Sequence, residues 1–326
     1  MTGKMVISLD FELFWGVLDK YNLDEYGENI LNVSKVIPKI LELFEQYEIH
    51  ATWGIVGLIL LDKKEFLEKD ILKNINYKNK KLSAYGHMEF IKNSDPNLFF
   101  AENLVKEIKK RKNQEIATHT LSHYFVSEEG QTKEEFDYDM SKMIEINKIK
   151  GNKIKTIIFP KNQNNNTYNT VLQKYGIKYY RGNEKNIFYK NGKQEKELLI
   201  VRIFRFLDSY INIGGNYTYQ IEDIKEEYLL NIRASRFFRP YNKKIWFLEF
   251  LKIRRIKKQM EYAAKHGEIF HLWWHPHNFG KNLNENLILL ENLLNFYKDL
   301  KNKYNFKSYN ICEIGEEYEN TNFGKE

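Results

Sequence analysis

The sequence predicts an α/β fold in which helices cover a mostly parallel sheet. Short apolar runs alternate with longer stretches of helical period, which is the pattern of successive βα units. Polar residues suited to catalysis fall repeatedly where the predicted strands end, and α/β enzymes place their active sites at that edge. No repeat, low-complexity linker or change in composition divides the 326 residues, so one domain, 1–326, is expected.

Seven apolar runs are predicted to be strands. They lie at 5–9, 51–56, 115–118, 156–159, 178–181, 268–274 and 309–311. Pro160 directly follows the fourth run, and Pro276 follows the sixth after one further residue. Because proline cannot donate to a ladder, both positions end strand pairing.

The intervals between these runs are predicted to be mainly helical. Helical periods occupy 29–47, 58–69, 99–112, 133–150, 167–175, 243–258 and 285–304. Pro38 predicts a break or bend in the first of them. Residues 72–94 are polar and are predicted to form a loop insertion. An irregular excursion is expected at about 184–262.

The composition limits the class of protein. The apolar fraction of 42% suffices for a large core, and a single cysteine, Cys312, excludes an internal disulfide. No run of eighteen apolar residues is present, and the first residues lack the pattern of a signal peptide, so a cytoplasmic location is expected. The net charge of +7 is mild, and no nucleic-acid-binding motif accompanies it.

Basic residues are concentrated in the predicted helix at 243–258. Apolar residues occupy much of its circumference, and lysines and arginines cluster towards its end. Two interpretations stay open. The helix packs on the domain with its basic end complementing the helix dipole, or the segment 243–260 makes a peripheral contact with an anionic membrane.

The motif His-Thr-Leu-Ser-His at 119–123 is a candidate metal site. If a helical turn follows the predicted strand, His119 and His123 project to the same side and can bind one cation. Catalytic zinc sites typically use three protein ligands and a water, with imidazole among the usual ligands. Two surface histidines at this spacing are the alternative when the motif is taken alone.

The motif Ser-Leu-Asp-Phe-Glu at 8–12 ends the first predicted strand. Strand alternation places the carboxylates of Asp10 and Glu12 on the same side. Paired acids of this kind divide the work between binding a metal and accepting a proton from water. A helix cap or a surface ion pair is the alternative, but these acids interrupt an apolar run, and burying carboxylates without partners is costly.

The third candidate segment follows the strand at 268–274. Alternation places His271 and Trp273 on one face, and His275 is the first residue past the strand, in position to donate a proton. His271 is predicted to be a core histidine with its hydrogen bonds satisfied. His277 is either a supporting partner of the site or a solvated loop residue.

Together these segments resemble the polysaccharide deacetylases related to the nodulation-factor chitooligosaccharide deacetylases, which are carbohydrate esterase family 4 in the broad sense. The acid pair at 10 and 12, the motif His-[Ser/Thr]-x-x-His at 119–123 and the strand ending in His275 carry the resemblance. The segments at 51–57 and 236–241 look like a cytoplasmic branch associated with surface-polysaccharide biosynthesis. The resemblance extends over about 6–280.

The resemblance implies an irregular (β/α) barrel of about seven strands with a divalent metal at its mouth, zinc first and cobalt as an alternative. It implies Glu12, His119 and His123 as metal ligands, Asp10 as the general base, and His275 as the acid that protonates the departing amine. The implied reaction removes the N-acetyl group of an amino sugar and leaves acetate and a free amine.

Two positions depart from the family's pattern. The family often has aspartate where Glu12 stands, so either Glu12 or Asp10 is the metal ligand. The family also places an arginine beside the proline of its third motif to orient the catalytic acid, whereas Lys161 occupies that place here. Lys161 is either an active-site group or a solvated lysine, and Arg239 is a second candidate for the orienting role.

Aromatic side chains near the predicted site are candidates for stacking on sugar rings. Trp15, Trp53, Trp273 and Trp274 all flank the proposed site. The candidate substrate-binding residues are Trp15, Trp53, Trp274, Tyr241 and His277. Core packing is the competing interpretation for Trp53 and Trp273.

The sequence therefore predicts a metal-dependent deacetylase acting on an N-acetylated sugar or glycan precursor. Hydrolysis of a small cyclic amide or ureide at the same metal is a second hypothesis, favoured by a deep closed pocket. A sugar-binding protein with a decayed site is a third, suggested by Glu12 and Lys161. The sequence does not define the oligomeric state.

Overall fold

The structure is a computed structural model that describes residues 2–186, 189, 199–224 and 228–323. Its strands are β1 (Lys4–Phe11), β2 (Ala51–Ile55), β3 (Gln114–Thr118), β4 (Thr156–Ile157), β5 (Tyr179–Tyr180), β6 (Leu230–Asn231), β7 (Arg236–Phe237), β8 (Ile269–Trp274) and β9 (Lys307–Tyr309). They form a curled, parallel sheet in the order β6-β5-β4-β3-β2-β1-β8-β7, with β9 added beside β1. The fold is α/β, as predicted.

Helices cover the sheet. Their bounds are α1 (Leu23–Leu31), α2 (Val33–Gln46), α3 (Lys63–Glu68), α4 (Met88–Asn93), α5 (Glu102–Lys110), α6 (Lys133–Ile149), α7 (Asn169–Lys174), α8 (Leu199–Asp208), α9 (Glu249–His266), α10 (Leu283–Tyr304) and α11 (Ile311–Phe323). Within the described residues, no helix combines the length and the apolar character that crossing a membrane requires.

The segment 230–238 links the two edges of the curled sheet. Backbone N–H groups of Leu230, Ile232 and Ala234 donate to carbonyls at 178–182 on the β5 side. A few residues later, the N–H groups of Ser235 and Phe238 donate to carbonyls of β8. One short stretch of chain, which we call the seam, therefore bonds to both sheet edges.

Alternation along β1 explains why the first acid faces inwards. Leu9 and Phe11 belong to the large apolar core, whereas Val6 packs in a second, smaller cluster with Ile158 and Tyr179. Asp10 lies on the same face as Val6, because strand side chains alternate with a period of two. Its carboxylate thus points into the interior of the curled sheet.

Several predicted boundaries differ from the structure. The chain stays helical through Pro38, and the first helical stretch is divided earlier, at Asn32. The predicted loop at 72–94 contains α4, and the last predicted strand ends at Tyr309, so α11 begins at Ile311. The excursion predicted at about 184–262 lies partly outside the described residues, and its described part contains α8, β6 and β7.

Candidate active site

The candidate active site lies at the carboxyl end of the sheet. Asp10 is near the end of β1, Glu12 immediately follows it, His119 is the first residue after β3, and His275 the first after β8. These strands are close neighbours, so their ends converge. Asp10, Glu12 and His275 border a cavity of about 780 Å³.

Glu12 is brought together with the two histidines of the 119–123 motif. Its Oε2 lies 3.2 Å from His119 Nε2 and 3.0 Å from His123 Nε2. All three side chains are buried, and one nitrogen or oxygen from each lies within 4.8 Å of the others. The geometry favours Glu12 over Asp10 as the carboxylate of a metal site.

The chemistry of this group fits a divalent cation. Nδ1 of His119 lies 2.8 Å from the carbonyl oxygen of Ile158, so Nδ1 carries the proton and Nε2 presents a lone pair towards the Glu12 carboxylate. His119 Nε2 and His123 Nδ1 are buried without a hydrogen-bond partner. Two acceptors facing each other repel unless a cation binds them, and a carbonyl fixing the far nitrogen is typical of metal-binding histidines.

The space around Glu12 is matched to its side chain. A Cβ atom built on Gly16 would lie 2.1 Å from the carboxyl carbon of Glu12, which is closer than any real contact. The absence of a side chain at Gly16 therefore lets this glutamate occupy its position between the histidines.

The 119–123 segment is a tight non-helical turn, and the two histidines converge without a helical turn after β3. Thr120 and His123 have φ values of 64° and 60°, in the left-handed region. The Asp139 carboxylate accepts hydrogen bonds from the N–H groups of Leu121 and Ser122, at 2.7 and 3.2 Å, and from the Ser122 hydroxyl at 2.6 Å. Burial raises the pKa of Asp139 to about 6 although these hydrogen bonds lower it.

Asp10 is held by an arginine. Nη1 and Nη2 of Arg181 each donate to one Asp10 oxygen at 2.7 Å, and the guanidinium lies 4.2 Å above the Trp273 ring. The side-chain oxygen Oδ1 of Asn162 accepts hydrogen bonds from the same guanidinium. Burial acts to raise the pKa of Asp10, but the charge of Arg181 outweighs it and lowers this pKa, so the carboxylate is ionised.

His275 faces both acids. Its Nε2 lies 3.5 Å from Glu12 Oε1 and 3.7 Å from Asp10 Oδ2. The side-chain amide of Asn278 donates to Nδ1 at 3.3 Å, while the Asn278 oxygen accepts from the Tyr26 hydroxyl at 3.0 Å. Because Nδ1 is thus an acceptor, the proton of the neutral ring is on Nε2, which faces the site.

Two other histidines flank this arrangement. His277 stacks on His275 with ring centroids 5.0 Å apart, and its Nε2 lies 3.8 Å from Glu12 Oε1. Burial, with the neighbouring His275 acting in the same direction, lowers the pKa of His277 to about 3. His271 has both ring nitrogens satisfied, by the Ser8 hydroxyl at 2.8 Å and the Arg233 carbonyl at 3.1 Å, as predicted for a core histidine.

Burial and charge act in opposite directions on Glu12. Burial favours the neutral acid, but the attraction of His275 and His123 outweighs it and holds the pKa of Glu12 well below its usual range. Burial lowers the pKa of His123 despite the neighbouring carboxylate. A charged carboxylate beside neutral imidazoles is the ligand state that a divalent cation requires.

The two predicted orienting residues do not contact Asp10. Lys161 borders the cavity, but its Nζ pairs with Asp19 at 3.1 Å and lies over the Phe125 ring. Arg239 also borders the cavity, and its Nε donates to the Ser209 hydroxyl at 2.7 Å. The orienting role predicted for either residue is corrected to Arg181.

Three tryptophans predicted to bind substrate lie in the core. The Trp15 indole donates to the Phe99 carbonyl, and the Trp53 indole donates to Gln114. Trp274 faces the helix side of the sheet, where it contacts Phe238 and Phe279. None of the three borders the cavity: strand alternation turns Trp53 and Trp274 away from it, and Trp15 lies in the short 3-10 turn after β1.

The aromatic wall of the cavity includes one of the four tryptophans predicted to flank the site. Trp273 and Phe237 border the cavity, with ring centroids 4.7 Å apart, and His277 borders it as predicted. Tyr241 does not; its backbone N–H donates to Asn286. The sequence analysis missed Arg181 and Asn162 as site residues. The available signal for Arg181 was its place at the carboxyl end of the run at 178–181.

Comparisons with known proteins support the resemblance noted in the sequence. Residues 23–180, just under half of the chain, match the family model described as polysaccharide deacetylase. A search of curated protein sequences finds no match.

Solved structures share the fold. A protein from Mycobacterium smegmatis assigned as a polysaccharide deacetylase superposes with a TM-score of 0.57 at 11% identity, covering 98% of this chain and 91% of that one. Puue allantoinase gives 0.54 at 11% identity, covering 98% and 90%. A probable polysaccharide deacetylase from Pseudomonas aeruginosa PAO1 gives 0.51 at 11% identity, covering 99% and 92%. At these identities the likeness concerns the fold alone.

Proposed function

We propose that the protein is a metal-dependent deacetylase that removes the N-acetyl group of an N-acetylated amino sugar. The observation that carries the proposal is the acceptor group of Glu12, His119 and His123, with Asp10 and His275 directly beside it. The match of residues 23–180 to the polysaccharide deacetylase model supports the same reaction.

Each residue has a role that its contacts allow. A divalent ion bound by Glu12, His119 and His123, zinc or cobalt by preference, would polarise the acetamide carbonyl and acidify water. Asp10, kept ionised by Arg181, accepts a proton from the water that attacks the carbonyl carbon. The Nε2 proton of His275 passes to the sugar nitrogen as the carbon–nitrogen bond breaks, which yields acetate and a free amine.

The shape of the cavity supports a sugar substrate. Its volume of about 780 Å³ and its aromatic wall of Trp273 and Phe237 suit a hexose with a further group attached. We place the reaction in the cytoplasm, on a precursor of a cell-surface glycan. Contact of the segment 243–260 with a membrane is part of this proposal, since Trp246, Phe247 and Phe250 are exposed there.

A second candidate is hydrolysis of a small cyclic amide or ureide. Puue allantoinase has the same fold, so the scaffold accommodates such a site. The cavity volume of about 780 Å³ favours the sugar. A decayed site is disfavoured by the contacts of Glu12 with both histidines and by Arg181, which supplies the arginine missing beside Pro160.

The test is release of acetate by purified protein after chelator treatment and addition of zinc or cobalt. We expect turnover of N-acetylated amino sugars only with metal, and none of allantoin. The variants D10N, E12A, H119A and H275A should each lower kcat/KM by about 100-fold or more while circular dichroism stays unchanged. H87A is the matched control and should keep full activity, because His87 contacts only the Lys81 carbonyl on the surface. Normal turnover by H119A would refute the metal assignment.

A further inference from the structure

The cavity has a second, basic end. Helix α8 contributes Arg202 and Arg205 to its lining, and the segment following β6 contributes Arg236 and Arg239. The carboxylates that line the described part of the cavity are Asp10, Glu12 and Glu184. The first two belong to the reaction site, and neither Arg202 nor Arg239 forms an ion pair with a described residue.

Arg239 gives the clearest evidence that this end of the cavity binds an anion. No carboxylate of the described chain lies within ion-pair distance of it; its Nε donates to the Ser209 hydroxyl, and its Nη2 lies 3.5 Å from the Arg205 carbonyl. Burial lowers its pKa, and the nearby charges of Arg205 and Arg236 lower it further. A desolvated cation among other cations is costly, and a bound anion would offset that cost.

Two neighbouring arginines have unused donors. Arg236 is 3% exposed; it pairs with Asp208 at 3.0 Å, but its Nη2 is buried without a hydrogen-bond partner. Arg202 is exposed on α8 at the cavity and has no ion-pair partner among the described residues. Both residues therefore have N–H groups to offer a ligand in the cavity.

The charge identifies the class of anion. Guanidinium groups pair with phosphate through two parallel hydrogen bonds. Arg202 and Arg239 together exceed the charge of a single carboxylate, and with the unused Nη2 of Arg236 they fit a phosphate or diphosphate. We propose that this end of the cavity binds the phosphate or diphosphate of a sugar phosphate, so that the substrate is an N-acetylated sugar already activated at its anomeric carbon.

The proposal rests on the proposed deacetylase function and specifies its substrate class. Two sources share the chemistry, a nucleotide sugar and a sugar linked to a polyprenyl diphosphate. Exposed apolar residues on the far side of α8 favour the lipid-linked sugar. Ile200 and Leu207 are 67% and 40% exposed, and Ile211, just after the helix, is 57% exposed. The class of reaction that supplies the substrate is then transfer of a sugar phosphate or formation of a nucleotide sugar.

The experiment compares kcat/KM for acetate release from three substrates: neutral chitotetraose, UDP-N-acetylglucosamine and undecaprenyl-diphosphate-N-acetylglucosamine in vesicles. We expect at least one phosphorylated sugar to exceed chitotetraose by about tenfold or more. R239Q and R202Q should each lower that ratio by about tenfold. If R239Q fails to fold, R202Q still tests the site, because Arg202 is exposed and its replacement leaves the interior unchanged. R111Q makes the same change at the end of α5, where Arg111 pairs with Glu45 away from the cavity lining, and should leave the ratio unchanged.

The outcomes separate the two proposals. Turnover of chitotetraose at least equal to that of both phosphorylated sugars would overturn the phosphate site and leave the deacetylase standing. A second measurement does not depend on turnover. It compares the equilibrium affinity for UDP-N-acetylglucosamine, and for the lipid-linked sugar, with the affinity for chitotetraose. In a protein that releases no acetate, tighter binding of a phosphorylated sugar that is lost in R202Q would support the site, and equal binding would overturn it.

Discussion

Asp10 and Glu12 are separated by one residue, yet their partners differ completely. Both oxygens of Asp10 accept hydrogen bonds from the guanidinium of Arg181, whereas Glu12 contacts the imidazoles of two histidines. Since both carboxylates project to the same side at the end of β1, the sequence alone left open which of them is the ligand. The choice depends on Arg181, which is 171 residues away from Asp10 in the chain.

Replacing Arg181 should change the pH profile. Arg181 lowers the pKa of Asp10 against the effect of burial, so its removal lets this pKa rise. A base must be deprotonated to act, and the acidic limb of kcat/KM in R181Q is therefore expected to move to higher pH by about one unit or more. At neutral pH, kcat should fall roughly 100-fold, with a smaller change in KM.

R181K is the informative companion variant. Lysine keeps the charge but lacks the fork that contacts both Asp10 oxygens. We expect the acidic limb to stay near its wild-type position while kcat drops, which separates the charge of Arg181 from its positioning role. An acidic limb that is unchanged in R181Q would show that Asp10 is not the titrating base.

At the scale of elements, helix α6 supports the candidate metal site although none of its residues belongs to it. Asp139 fixes the turn between His119 and His123 through hydrogen bonds with Leu121 and Ser122. Sequence periodicity predicted the helix at 133–150 closely. It gave no indication that one polar residue on its buried face anchors a turn eighteen residues upstream.

Removal of the Asp139 carboxylate should loosen this turn. D139A leaves buried N–H groups without acceptors, and we expect the free energy of unfolding in urea to fall by about 2–3 kcal/mol. D137A, on the same helix, removes a half-exposed carboxylate paired with Lys174 and should cost less than about 1 kcal/mol. Equal losses in the two variants would contradict the anchoring role.

The elements that the sequence missed share a physical cause. β6 and β7 contain two residues each, which is too short for any periodicity. The apolar residues on one side of helix α8 stay exposed, so its hydrophobic pattern does not indicate which residues pack in a core. Trp15, Trp53 and Trp274 show the same difficulty at the site, because an aromatic residue near a strand end faces either the helices or the cavity.

For the whole molecule, the seam at 230–238 determines how the sheet curls, because it bonds to both edges. Ser235 is central to it: its N–H donates to the His271 carbonyl at 2.8 Å, and its hydroxyl accepts from the His271 N–H at 3.0 Å. The alternation of strands and helices predicted a parallel sheet, but the junction of its edges depends on long-range pairing that no local pattern encodes.

S235A should weaken the seam selectively. The His271 N–H and the Tyr217 carbonyl each lose a partner in the interior, and we expect a loss of about 2 kcal/mol in unfolding free energy. Hydrogen exchange should accelerate at 230–238 and 269–274 but not in β2 and β3. The control S34A removes an exposed hydroxyl bonded to the Leu31 carbonyl and should change stability by less than about 0.5 kcal/mol. Uniform acceleration throughout the sheet would contradict a local seam.

The position of β1 has a consequence for biosynthesis. β1 pairs with β8 and β9, and the hydrogen bond between Ser8 and His271 joins residues 263 positions apart. On the ribosome, the acids of β1 emerge early, while the strand that completes their surroundings is still untranslated. The carboxylates of Asp10 and Glu12 therefore leave the ribosome before their partners do, and the candidate site is complete only after β8 has docked beside β1.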